Sequence, residues 1–145
     1  MRATRGAAYV RAAFVGAGAV AHERPAPRPT IDLRAIREAL LALADPTAFA
    51  RSSCSQLAAL ADVPSGDAAA RATRFREIVE RELLQMATTG RGARQRAAIA
   101  ATYLRLPGAN PSQEQIAEAL GVPFRTYRDH LTQGLAELVR RLGGR

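Results

Sequence analysis

A single glycine, Gly121, separates two stretches of helical apolar repeat, and this arrangement constrains the fold more than any other feature of the chain. Glycine readily adopts the left-handed conformation that ends a helix. Ser112 and Gln115 have the spacing of a capping box at the start of the first helix, and Ala117 is small enough for a second helix to cross it. The second helix, over about 123–142, has an apolar stripe with helical spacing: Phe124, Tyr127, Leu131, Leu135, Leu138 and Leu142. The pattern therefore predicts a helix-turn-helix, with Phe124 and Tyr127 filling its core.

The composition favours helices throughout the chain. Hydrophobic residues make up 48% of the sequence, but aromatic residues only 5%, and tryptophan is absent. Alanine and leucine favour helices, whereas the β-branched and aromatic residues typical of strands are scarce. We therefore predict an all-α fold, a small helical bundle followed by the C-terminal helix-turn-helix.

Helix signals begin after residue 30. Asp32 is placed to cap a first helix, and the pair Asp45-Pro46 ends it and opens a second one. Ser53 and Gln56 have capping-box spacing for a further helix. A turn at 64–67 precedes a long helix over about 67–88, and Gly90 and Gly92 are expected to break the chain before a helix over about 93–106. The long helix should bury Phe75, Ile78, Val79, Leu83 and Met86 and expose Arg74, Arg76, Glu80, Arg81 and Glu82.

These signals divide the chain into three parts. Residues 1–29 are basic and proline-rich, and we interpret them as a disordered arm or linker; an export signal and translated sequence upstream of the true start are the alternatives. Residues 30–88 form a helical bundle that could serve in dimerisation or docking. Residues 89–145 contain the helix-turn-helix. No apolar run in the sequence is long enough to cross a membrane.

The chain is strongly basic, with a formal net charge of +8 and a pI near 11.2, and all 21 of its basic residues are arginine. Nine arginines and only four acidic residues follow Gly90, which gives this part a balance of +5. Such an excess attracts polyanions, of which nucleic acid is the most common and an anionic membrane surface the competing one.

The predicted helix-turn-helix resembles a known family. The dipeptide Ile116-Ala117, the run from Leu120 to Val122, and the later Thr126 and Leu131 are similar to region four of sigma factors, which reads the −35 promoter element. This resemblance covers roughly the last 50 residues and implies DNA binding in bacterial transcription. A broader similarity, over 33–142, is to helical regulatory segments associated with bacterial signalling ATPases.

The second helix also supplies the candidate contact residues. In such motifs its first turns enter the major groove of DNA. Arg125 and Arg128 can each bind a guanine edge or a phosphate, and Asp129 can orient Arg125 or accept a hydrogen bond from cytosine. The candidate DNA-binding residues are Arg125, Thr126, Arg128, Asp129, Thr132 and Gln133 on the second helix, with Gln113 and Arg105 as backbone contacts.

No pattern of catalysis or cofactor binding is present. The sequence contains no paired histidine or cysteine ligands, no nucleophile motif and no phosphate-binding glycine loop, so we expect neither an enzyme nor a cofactor. The lone Cys54 indicates a packed thiol and a cytoplasmic protein. We expect double-stranded DNA as the partner and a homodimer or a second regulatory protein to supply further affinity. The alternative is an adaptor that docks on RNA polymerase, a sigma factor or an ATPase without reading bases.

Overall fold

The computed structural model describes residues 31–105 and 108–143, and within these ranges the all-helical prediction is confirmed, because they contain no strand. None of the helices found there is long and apolar enough to cross a membrane. The predicted arm over 1–29 and Leu106, the last residue of the helix predicted over about 93–106, lie outside the described residues. The elements are α1 (Leu33–Leu41), α2 (Pro46–Ala50), two short 3₁₀ helices (Ser53–Gln56 and Ala58–Leu60), α3 (Ala68–Met86), α4 (Gly90–Tyr103), α5 (Gln113–Leu120) and α6 (Phe124–Gly143).

Aspartate caps begin the first helices, and those at Asp32 and Asp45 are as the sequence predicts. The Oδ1 atom of Asp32 accepts a hydrogen bond from the amide of Ala35 at 2.8 Å, at the start of α1. Asp45 caps α2 in the same way, with Pro46 as the first helical residue. The backbone amide of Asp67 closes the predicted turn on the carbonyl of Pro64 at 3.0 Å, and its side chain then caps α3. Each cap satisfies amide groups that have no partner inside the helix.

The predicted capping box at Ser53 and Gln56 is wrong. Ser53 is the first residue of a 3₁₀ helix, and this part of the chain forms two short 3₁₀ helices rather than one α-helix. The guanidinium of Arg71, on α3, donates hydrogen bonds to the carbonyls of Ser55, Leu60 and Val63. These hydrogen bonds join the two short turns to α3.

Gly90 and Gly92 do not break the chain; they lie in the first turn of α4. The break falls at 87–89, and the side chain of Thr89 caps α4 by accepting a hydrogen bond from the amide of Gly92 at 3.0 Å. A Cβ atom on Gly92 would lie only 1.6 Å from the carbonyl oxygen of Met86. The glycine thus permits the close approach of the start of α4 to the end of α3.

One hydrophobic core includes residues of both predicted helical segments. Its buried members include Ile36 and Leu40 of α1, Phe75 of α3, and Leu135 and Leu138 of α6. Besides packing on α4, helix α6 contacts α1 and α3. The proposed boundary between 88 and 89 therefore falls between two helices that share a core.

Helix α3 buries its predicted apolar stripe, but Glu82, which is predicted on the exposed side, is buried as well. Glu82 is only 2% exposed, and its carboxylate lies 3.3 Å from the guanidinium of Arg141 on α6. The expectation that Glu82 faces solvent is therefore wrong. The position of Glu82 between Val79 and Met86 puts it on the buried side of the helix, where a carboxylate requires a charged partner.

Candidate nucleic-acid interface

Helix α5 begins with the capping box that the sequence predicts. The hydroxyl of Ser112 accepts a hydrogen bond from the amide of Gln115 at 3.1 Å, and the side-chain oxygen of Gln115 accepts one from the amide of Ser112 at 2.8 Å. These two bonds satisfy amides at both ends of the first turn and fix where the helix starts.

Helix α5 ends at Gly121, which has a φ of +72° and is therefore left-handed. The amide of Gly121 donates to the carbonyl of Glu118 at 3.0 Å, and the amide of Val122 donates to the carbonyl of Ala117 at 3.1 Å. This pair of bonds is the Schellman arrangement, which reverses the chain direction at a helix end. Helix α6 starts at Phe124, so only three residues separate the two helices.

The inner face of α6 is anchored to α4 along its length. Tyr127 is fully buried, and its hydroxyl lies 2.6 Å from the hydroxyl of Thr102. Farther along, a Cβ atom on Gly134 would lie 2.9 Å from the Cβ of Gln95. Since the later residue of α6 lies against the earlier residue of α4, the two helices run antiparallel. These contacts hold α6 in one orientation and determine which of its residues face outward.

The outward face carries most of the candidate contact residues. Arg125 and Arg128 are exposed in the first two turns of α6, and Thr126 is partly buried beside them. Neither arginine forms a hydrogen bond or an ion pair with any residue that the structure describes. No ion pair joins Arg125 to Asp129 in the described residues, so the contact by which Asp129 could orient Arg125 is not formed. The remaining outward residues of the set are Asp129, Thr132 and Gln133, all exposed.

Several arginines outside this face bond to oxygen atoms of the chain. Arg76 lies 3.4 Å from Glu80, and Arg74 lies 3.0 Å from Asp62. Near the end of α6, Arg140 and Arg141 both bond to Glu137, and the hydrogen bond from Arg140 is the main reason that the pKa of Glu137 is below its usual value. Within the described residues, neither arginine at the start of α6 has an ion-pair partner, whereas the two arginines near its end do.

Phe124 does not belong to the core, contrary to the sequence-based prediction. It is 39% exposed, although Tyr127 is buried as expected. Phe124 is the first residue of α6, and its ring centroid lies 6.3 Å from that of Tyr127, a member of the buried cluster to which Phe124 itself does not belong. The guanidinium carbon of Arg128 lies 5.7 Å from the centre of the Phe124 ring. An aromatic ring and a guanidinium therefore form one exposed pair at the start of the helix.

The two residues predicted as backbone contacts lie in and after the connection between α4 and α5. The guanidinium of Arg105 donates hydrogen bonds to the carbonyls of Ala109, at 2.7 Å, and of Thr102, and to the side chain of Asn110 at 3.4 Å. The guanidinium of Arg105 thus links the α4–α5 connection to the end of α4. Gln113 is the first residue of α5 and is partly buried.

In comparisons with known proteins, no family model, curated protein or solved structure matches this chain.

Proposed function

We propose that the protein binds double-stranded DNA sequence-specifically and acts in bacterial transcription regulation, with α6 in the major groove. The observation that carries the proposal is the pair Arg125 and Arg128, exposed and without an ion pair in the described chain, at the start of a helix whose opposite face is anchored. A helix held in this way can present its side chains to base edges at fixed positions.

The proposed roles follow from the chemistry of each side chain. Arg125 and Arg128 donate to the O6 and N7 atoms of guanine, the most common specific contact in the major groove. Thr126 binds a phosphate or a thymine methyl group, and Asp129 accepts a hydrogen bond from the amino group of cytosine. Thr132 and Gln133 lie farther along the same face, where they extend the set of contacts.

Phosphate contacts supply the part of the affinity that does not depend on sequence. Pro123 cannot cap α6 with a hydrogen-bonding side chain, and amides at such a helix start attract phosphate. Gln113 lies at the start of α5, the helix that crosses the DNA backbone in this motif. Because one motif of this size gives little affinity, we expect a homodimer to bind two half-sites.

The test is selection of binding sites from a pool of random double-stranded DNA, with the purified chain and with an Arg125→Ala/Arg128→Ala variant. We expect the native protein to enrich a motif that the variant fails to enrich, and its affinity to fall steeply as salt rises. The matched control is Arg51→Ala/Arg81→Ala, which removes the same charge from two other exposed positions and should keep the motif. No enrichment by the native protein would refute the proposal.

A second candidate is the adaptor that docks on RNA polymerase, a sigma factor or a signalling ATPase. Two leucines favour it: Leu41 of α1 is 72% exposed and Leu84 of α3 is 58% exposed. Exposed leucines of this kind are common on single proteins, so they carry less weight than the arginine pair. Capture of such a partner that is lost in a Leu41→Ser/Leu84→Ser variant, without enrichment of a DNA motif, would support the adaptor.

A further inference from the structure

We propose that the exposed pair of Phe124 and Arg128 is a specificity element that reads a T·A base pair next to a G·C base pair. This inference rests on the proposed function, because it requires that α6 enter the major groove. It adds a residue that the sequence pattern assigned to the core and that is in fact 39% exposed.

The Phe124 ring lies at the start of α6, the helix proposed to enter the major groove. Phe124 is the first residue of α6, and the first turns of such a helix contact base edges. Its neighbour Arg125 and its stacking partner Arg128 are both exposed there. The ring therefore lies among the side chains that would meet the bases.

The ring of Phe124 and the guanidinium of Arg128 are both restrained by their neighbours. Tyr127, beside the Phe124 ring, is fully buried and its hydroxyl lies 2.6 Å from that of Thr102. Arg128 lies over the Phe124 ring at 5.7 Å, a distance at which a guanidinium is attracted to an aromatic face. The ring thus restricts the motion of the guanidinium before any DNA binds, which lowers the entropy lost in binding.

The two side chains of the pair match the chemistry of two different bases. The C5 methyl group of thymine is the apolar feature of the major groove, and phenylalanine is among the side chains that contact it. The guanidinium of arginine binds the O6 and N7 atoms of guanine. Since the ring and the guanidinium are in contact, the two bases that they read should belong to neighbouring base pairs.

The experiment starts from the motif that the native protein enriches in the selection described above. The probe is a DNA duplex with that motif, in which the thymine beside the guanine is replaced by uracil, so that only the methyl group is lost. We expect the native protein to bind the uracil duplex about fourfold more weakly, the amount expected for one buried methyl group. Phe124→Ala should bind both duplexes equally, while still preferring the neighbouring guanine.

Because Phe124 is exposed, Phe124→Ala should fold normally, and thermal unfolding checks this. This inference would be overturned, and the proposed function left standing, by a motif without thymine beside guanine. It would also be overturned if uracil lowered the affinity of the native protein and of Phe124→Ala by the same factor. If the native protein enriches no motif at all, both proposals fail. Retention of thymine sensitivity in Phe124→Leu, which keeps an apolar side chain, would support the methyl contact.

Discussion

At the scale of single residues, Gly121 allows a direct test of how the turn between α5 and α6 is specified. A Cβ atom would meet nothing within 4 Å at either Gly121 or Gly66, but only Gly121 has a positive φ. We therefore expect Gly121→Ala to lower the free energy of unfolding by about 1 kcal/mol, because a side chain in the left-handed region is strained. Urea denaturation measures this loss, and Gly66→Ala is the matched control. Equal effects of the two substitutions would contradict the explanation.

Other residues show which features of the fold can be predicted from neighbouring sequence and which cannot. The roles of Gly121, Ser112 and Asp32 could be predicted from the sequence, because caps and left-handed turns depend on neighbours within a few residues. The placement of Glu82 could not, because its partner Arg141 is 59 residues away along the chain. Phe124 fits the apolar period, but a period does not show whether another element covers the first residue of a helix.

At the scale of elements, the crossing of α4 and α6 depends on Gly134. A Cβ atom there would lie 2.9 Å from the Cβ of Gln95 and 3.0 Å from the Cδ1 of Ile99, so the two helices would have to separate. Overpacking of this kind costs roughly 1–3 kcal/mol, of which the better helix propensity of alanine recovers up to about 1 kcal/mol.

We therefore expect Gly134→Ala to lower the free energy of unfolding by about 1 kcal/mol, measured by urea denaturation. Gly143→Ala is the control on the same helix, because a Cβ atom there has nothing within 4 Å. It should cause no loss of stability. If Gly134→Ala were as stable as the native protein, α4 and α6 would not be held at the distance that the structure gives.

Whether an element is predicted correctly depends on how close in the sequence its stabilising residues lie. Helices with their own caps, such as α1, α3 and α5, start where the sequence indicates, because the signal and the helix are adjacent. The capping-box spacing at Ser53 predicts a further helix, but two 3₁₀ helices form there, and Arg71 of another element bonds to their carbonyls. The outward face of α6 could be predicted from its stripe, whereas the pairing of Phe124 with Arg128 required the structure.

At the scale of the whole molecule, the shared core predicts that residues 31–88 and α6 unfold together. Cys54 reports on the first of these segments, because its side chain is fully buried, with the sulfur 3.7 Å from the carbonyl of Ala35. Burial raises the pKa of this thiol to about 12. Since the thiolate is the reactive form, a thiol reagent at neutral pH should modify Cys54 only when the core opens.

We therefore expect Leu138→Ala, a substitution in α6, to accelerate the modification of Cys54. Leu138 is fully buried, and its truncation should cost at least about 2 kcal/mol, which corresponds to roughly thirtyfold faster labelling when opening is at equilibrium. Thr132→Ala, on the exposed face of the same helix, is the control and should leave the labelling rate unchanged. If Leu138→Ala unfolds α6 by circular dichroism while Cys54 stays protected, the two segments open separately, and residues 30–88 would then be a unit able to dock on its own.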